Sequence, residues 1–236
     1  MKNEEDFNSD TWYKSNYNRV NATAVQGSLS NRILHKLIEK PFKSNLNFKI
    51  LEVGANKGEH LPFVRSDFAR YLISDIRPID INTRLTKLLD EIGRSDPGCV
   101  DFKLEDVQKL SFENNTFDRV ISTCLFHHLD NPIDAFREVR RVTKIGGVIS
   151  ILIPHDPGII YRILRMCTTL RVAKKLGLYK EAQLIHAIEH RNHYLQLRII
   201  LENVFYNDKI SPDYFPFKVQ GYNLNAITVF HIKKIS

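Results

Sequence analysis

The sequence predicts an α/β fold, a doubly wound and mostly parallel sheet covered by helices on both faces. Three observations predict it. Short, near-continuous apolar runs alternate with helical segments between residues 48 and 153, the pattern of strands buried on both sides. The first run ends in Glu52-Val53-Gly54-Ala55-Asn56-Lys57-Gly58, an acid and a glycine-containing turn before a helix-like segment, the layout of a nucleotide-binding turn in such a sheet. A second acid, Asp75, closes the next apolar run, where open α/β folds place a carboxylate against a ribose.

The elements follow in order. Asn31 to Lys40 puts Ile33, Leu34, Leu37 and Ile38 on one helical face, with Ser28 or Ser30 as N-cap and Pro41 as the stop. Phe48–Val53 is the first strand and Gly58–Ser66 the first helix. Tyr71–Ser74 is the second strand, and Ile81–Ile92 an amphipathic helix closed by Gly93. Val100–Leu104 is the third strand, and Arg119–Thr123 the fourth, entered through the turn-rich Asn114-Asn115-Thr116. Pro132–Val142 is a helix with Ile133, Phe136, Val139 and Val142 inward. Gly146-Gly147 breaks it before the fifth strand, Val148–Ile153. Residues 155–190 then hold two basic, partly amphipathic segments and no strand. A helix at Tyr194–Val204 and strands at Tyr214–Lys218 and Ala226–Ile232 close the chain.

This reads as a single domain over residues 1–236. Residues 1–45 form a helical cap, with Trp12, Tyr13 and Tyr17 too aromatic for a disordered tail. Residues 46–153 form the ligand-binding core and 191–236 a closing helix and strands. The insertion at 155–190 lies above the carboxyl edge of the sheet, where ligands bind in open α/β folds, and is read as a lid or substrate-shaping element.

Composition narrows the classes. No apolar run reaches the ~18 residues of a spanning helix, and the polar start Met1-Lys2-Asn3-Glu4-Glu5-Asp6 lacks a secretory core. Cys99, Cys124 and Cys167 are far apart and odd in number, which argues against a disulfide framework or a zinc site and predicts reduced cytoplasmic thiols and no bound metal. The net charge is +7, with Arg162, Arg165, Arg171, Lys174, Lys175 and Lys180 in one short span. That span is a solvated helix face or an attraction to a phosphate, an anionic lipid surface or nucleic acid.

The glycines of the first turn do not fit the dinucleotide fingerprint: Asn56 and Glu59 stand where G-x-G-x-x-G starting at Gly54 needs glycine. Glu-x-Gly-x-x-x-Gly resembles instead motif I of the class I S-adenosylmethionine-dependent methyltransferases. Asn56 replaces a glycine common in the middle of that loop and is a residue that tolerates left-handed angles. The Leu110-to-Asp118 run resembles the family's L-P-F-x-x-x-x-F-D, with Ser111 for the proline. Asp118 to Leu129 resembles motif IV with the following His127-His128-Leu129 signature. Val139 to Gly147 resembles the turn before strand five, with Ile145 in the proline position.

The resemblance implies a Rossmann-like sheet with an antiparallel final strand, and S-adenosylmethionine as cofactor. Glu52 corresponds to the acid that accepts the methionine ammonium, Gly54, Ala55, Asn56 and Gly58 to the loop, and Asp75 to the ribose acid, with Ile76 beside the adenine. Asp106 with Val107 corresponds to the adenine-edge pair, Glu105 being the competitor, and Thr123 lies near the methionine portion. Methyl transfer needs no metal or covalent nucleophile. His127, His128 and His155 are weak candidates for a base. The adjacent His127 and His128 are poor joint ligands, because neighbouring side chains on a turn diverge.

The C-terminal third resembles a bacterial branch associated with surface-polysaccharide or lipid-linked sugar synthesis. His155, Asp156, His190 and His193 are then acceptor-site candidates, turn chemistry and surface imidazoles being the plain alternative. The function expected is methyl transfer to a small molecule, a sugar or lipid-linked intermediate, with phosphate recognition and peripheral membrane contact compatible with the basic span. RNA or protein methylation and a non-catalytic cofactor-binding protein are the alternatives. No nucleic-acid module is evident, and the base-methylating Asn/Asp-Pro-Pro-Tyr/Phe signature is absent after strand four.

Overall fold

The computed structural model describes residues 15–16, 20, 29–43, 47–78, 89–90, 92–93 and 99–236. Seven strands form one sheet in the order β3-β2-β1-β4-β5-β7-β6. They are β1 (Phe48–Val53), β2 (Phe68–Asp75), β3 (Val100–Leu104), β4 (Phe117–Thr123), β5 (Thr143–Pro154), β6 (Lys209–Phe215) and β7 (Ile227–Lys233). The first five run parallel, and β7 is antiparallel to both β5 and β6. The helices are α1 (Leu29–Glu39), α2 (Pro132–Val142), α3 (Ile159–Cys167), α4 (Thr169–Lys175), α5 (Tyr179–Glu189) and α6 (Tyr194–Val204). No described helix is long and apolar enough to cross a membrane.

Period-two alternation divides the core into two layers. Leu51, Val53, Val120, Ile149 and Ile151 pack with Phe136, Val139, Leu197, Leu201 and Phe205 of the α2–α6 side. Ile50, Tyr71, Ile73, Ile121 and Leu152 pack with Ile38 of α1, Leu61 and Phe68 on the other face. Both layers are needed because the central strands are apolar on both sides, as expected for a doubly wound sheet.

Several predicted elements are revised. Residues 54–67 join β1 to β2 without the helix expected at Gly58–Ser66; they form turns and a 3₁₀ helix at Leu61–Phe63. Left-handed angles at Gly54, Asn56 and Gly58, with Pro62 soon after, leave no stretch for an α-helix. The helix expected at Ile81–Ile92 lies almost wholly outside the described residues. Gly146-Gly147 does not end α2. The helix stops at Val142, and the glycines form a bulge in β5, where pairing jumps from Phe117 with Thr143 to Arg119 with Val148. A Cβ on Gly147 would stand 2.8 Å from the Asp118 carbonyl oxygen, so only glycine lets the strands meet there. Ile133 is exposed rather than inward. Strand β6 begins five residues before the expected Tyr214 and ends at Phe215. The two segments expected in 155–190 fold as three helices.

A buried polar cluster stands where the missing helix would pack. Arg119, fully buried in β4, donates to Glu39 of α1 through Nη1 at 3.0 Å and Nη2 at 2.6 Å. Its guanidinium also lies 3.5 Å from the centre of the Phe42 ring. Glu39 accepts from His60 Nε2 at 2.8 Å and from the Arg65 amide at 2.9 Å. His60 Nδ1 meets His35 Nδ1 at 2.9 Å. Burial opposes the Glu39 charge, but the His60 hydrogen bond and the Arg119 charge outweigh it and hold the carboxyl down to about 2. Burial keeps His60 neutral by lowering its pKa, so Nε2–H donates to Glu39 and Nδ1 accepts from His35. The cluster ties α1 and the β1–β2 connection to the central strand.

Candidate functional site

Parallel pairing puts the carboxyl ends of four strands side by side. Val53 pairs with Ser74 and Ser122, Asp75 with Leu104, and Thr123 with Leu152. The residues that follow these strands, Gly54, Ile76, Glu105 and Cys124, therefore line one edge. Backbone bonds lock the edge together: Ala55 donates to the Ser74 carbonyl at 3.0 Å, and Glu105 to the Asp75 carbonyl at 3.0 Å.

Asp75 is the hub. One carboxylate oxygen accepts the Asn56 amide at 2.9 Å, and the other the Arg77 amide at 3.0 Å. The side chain thus holds the first loop onto the second strand while each oxygen keeps a second lone pair. Ile76 beside it is 64% exposed, an apolar surface suited to one face of an aromatic ring. Asn56 adopts φ 48°, as expected of a residue standing where glycine is usual. Gly54 has φ +63°, and a Cβ there would meet the Leu125 side chain at 2.7 Å. Leu125 thus covers the turn from the β4 side, a contact the sequence did not announce. Asn56→Gly should leave cofactor affinity within about threefold and lower stability by about 0.5–1 kcal/mol through backbone entropy. Titration calorimetry and denaturant unfolding check both values.

Glu52 lies behind this turn. It is 1% exposed, and its carboxyl accepts the Tyr71 hydroxyl at 2.7 Å. No salt bridge to it forms among the described residues. Burial pushes its pKa up to about 8, the Tyr71 hydrogen bond opposing and nearby Glu59 reinforcing the shift. The carboxyl is therefore protonated at neutral pH until a cation approaches.

The adenine-side acids separate by geometry. Glu105 is committed: it accepts the Ser111 amide at 2.9 Å and pairs with Lys103 at 2.8 Å. Asp106 is half-buried and accepts the Gln108 amide at 2.9 Å in a tight turn. Val107 is buried in the core layer on the α2 side, so its side chain serves packing and only its backbone remains for a ligand. Thr123 is half-buried at the end of β4, and Cys124 after it is exposed with φ 54°.

A second cluster lies beyond β4. His127, His128 and His190 stack together, the ring centroids of His127 lying 4.0 Å from His128 and 4.3 Å from His190. Asp156 accepts from His190 Nδ1 at 2.6 Å and from His186 Nε2 at 3.1 Å, and Tyr161 lies 3.4 Å from His186 Nε2. Asp156 and His190, two of the acceptor-site candidates, are brought together. His186 was not singled out in the sequence, where it reads as one more polar position on an amphipathic helix. His193 is exposed and stands apart. His155 is fully buried, with Nδ1 on the Tyr222 carbonyl at 3.0 Å and Nε2 on Thr228 at 2.6 Å. Both ring nitrogens are occupied, which makes it a structural clamp between β5 and β7.

Residues 51–151 match the methyltransferase domain family. The ubiquinone/menaquinone biosynthesis C-methyltransferase UbiE of Coxiella burnetii is 30% identical over 108 residues, 44% of this chain and 42% of that protein. The alignment thus spans less than half of the relative's length. A methyltransferase structure from Aquifex aeolicus, described as S-adenosylmethionine-dependent, superposes with TM-score 0.53 at 15% identity, covering 96% of this chain and 99% of that one. The [4+2]-cyclase SpnF also superposes, with TM-score 0.57 at 14% identity over 87% of this chain and 80% of its own. The fold therefore does not by itself fix the reaction. The described edge fits S-adenosylmethionine: a left-handed turn held by Asp75, an exposed apolar Ile76, a half-buried Asp106 held by Gln108 and a neutral buried Glu52. Over residues 51–151 the chain thus resembles a methyltransferase domain, and its sheet has the Rossmann-like order found in S-adenosylmethionine-dependent methyltransferase structures.

Proposed function

We propose that this chain transfers a methyl group from S-adenosylmethionine to a small-molecule acceptor attached to a lipid. The observation that carries the cofactor part is the Asp75 carboxylate seated on the Asn56 amide beside exposed Ile76. In this reading Asp75 accepts the ribose hydroxyls, Asp106 with the Val107 backbone holds the adenine edge, and Thr123 borders the methionine portion. Ala55, Asn56 and Gly58 supply the loop. The cofactor supplies an already activated methyl on a sulfonium, so the protein's task is alignment and water exclusion.

The acceptor reading rests on the insertion. Helix α3 has no buried residue, and Ile159, Ile163, Leu164 and Met166 are exposed. Exposed Arg162, Arg171, Lys174, Lys175 and Lys180 lie on α3, α4 and α5. Exposed apolar side chains beside cations suit an anionic lipid surface, with aliphatic groups entering the headgroup region. The insertion meets the segment after β4 through Glu189 and His190, which contact His128 and His127, and packs with Val20 around Leu170, Ala173, Ala182 and Ile185. This supports a lid that receives the acceptor from the membrane of a cytoplasmic protein whose three cysteines are free. A polysaccharide intermediate on a lipid carrier is the acceptor favoured by the sequence. A quinone head group is the second reading, favoured by the name of the C. burnetii relative.

Incubating membrane extract with methyl-labelled cofactor and the protein should label a lipid-soluble product, and acid hydrolysis should release the label on a sugar or leave it on an aromatic ring. Label confined to RNA or protein, or no label with a cofactor-binding protein, contradicts the proposal.

A further inference from the structure

We propose that His127, His128 and His190 form a binding site for a divalent transition-metal ion of the zinc type. One ring nitrogen from each lies within 4.8 Å of the others. The three rings come from two distant parts of the chain: the 3₁₀ helix Phe126–His128 that follows β4, and the C-terminal end of α5. The expectation that His127 and His128 diverge fails here, because on this tight turn their rings lie 4.0 Å apart and both face His190.

The outer partners of the rings are those that metal-bound imidazoles use. His128 Nδ1 is 2.9 Å from the Glu189 carbonyl oxygen. A carbonyl only accepts, so Nδ1 carries the hydrogen and Nε2 keeps its lone pair. His190 Nδ1 is 2.6 Å from Asp156 Oδ2, and by the same reasoning its Nε2 is free. Ring N–H groups held by a carboxylate or a backbone carbonyl orient imidazoles toward a metal. His127 supplies an independent observation. It is 4% exposed, and its Nδ1 has no hydrogen-bond partner among the described residues, an arrangement that disfavours an empty, purely structural ring.

Imidazole donors suit zinc, copper, nickel and iron rather than magnesium or calcium. Three protein ligands leave a coordination position for water or a substrate oxygen. Asp156, His186 and His190 form an overlapping group, also within 4.8 Å of one another. There, however, the carboxylate oxygen already satisfies both rings, and that group is assigned the supporting role. The inference does not depend on the methyl-transfer reading, since metal binding is measured without cofactor or acceptor.

The test is titration of chelator-treated protein with Zn²⁺ by calorimetry, and with Co²⁺ by visible absorption, with circular dichroism confirming the fold of each variant. The wild type should bind one equivalent saturably. His128→Gln, at a half-buried position, should weaken binding about 100-fold, and Asp156→Asn about 10–100-fold, as loss of an outer partner does. His186→Asn should retain binding. No saturable binding by folded wild type overturns the proposal. So does unchanged binding in His128→Gln, or loss in His186→Asn with retention in His128→Gln.

Discussion

Arg119→Ala is expected to destabilise the protein by about 3–5 kcal/mol, the range for removing one partner of a buried ion pair. Among the described residues, the variant leaves the Glu39 carboxylate, fully buried on α1, with only His60 and the Arg65 amide as partners. It also removes the cation over Phe42. For a domain stable by about 5–15 kcal/mol, that is a large fraction. Glu39→Ala should be comparably damaging, because it strands a guanidinium that is 0% exposed. The double variant Arg119→Met with Glu39→Met should be less destabilised than either single alanine variant, since no buried charge remains unpaired. Urea unfolding of the four proteins measures this. Additive losses, or a loss below about 1 kcal/mol for Arg119→Ala, would show that the pair is not what holds α1 to the sheet.

Glu52→Gln is expected to make the protein less sensitive to alkaline pH. Glu52 has a folded pKa near 8 against an ordinary 4.5. Above 4.5 the unfolded chain has lost this proton while the folded chain keeps it, so stability falls as pH rises through that window and levels off above about 8. Below 4.5 the group contributes no penalty. The full loss is at most on the order of 5 kcal/mol. Glutamine keeps the acceptor for Tyr71 and removes the titration, so the variant should exceed wild type by about 2 kcal/mol at pH 9 and approach it at pH 5. Parallel unfolding profiles would contradict the assignment. The same proton bears on ligand binding. If the methionine ammonium pairs with Glu52, binding expels the proton, and wild-type affinity should rise with pH up to about 8, whereas that of Glu52→Gln should stay flat.

The parts of the fold legible in the sequence were those in which local pattern and burial agree. Phe48–Val53, Val100–Leu104, Pro132–Val142 and Tyr194–Val204 stand at the boundaries their apolar spacing predicts. The misses have physical causes. Residues 58–66 carry helical spacing, but left-handed angles at the loop and Pro62 leave only a 3₁₀ turn. Arg119 reads as an edge charge in an apolar strand, because its partner lies on a helix 80 positions away. On the site, Asp75, Gly54 and Asn56 could be read because a turn's backbone angles and a strand's last residue are local properties. The neutral state of Glu52 could not, since it depends on Tyr71 and on burial. The convergence of His127, His128 and His190 depends on how α5 returns to β4, which no local spacing encodes.

The central claim, a cofactor edge organised by Asp75, is tested most directly by titration calorimetry with S-adenosylmethionine. The account predicts one equivalent bound by the intact protein and a loss of about 30-fold or more in Asp75→Ala, which removes the anchor of the Asn56 loop and, on the proposed reading, the charge-assisted hydrogen bonds to the ribose. Absence of binding by folded wild type, or wild-type affinity in Asp75→Ala, would contradict it.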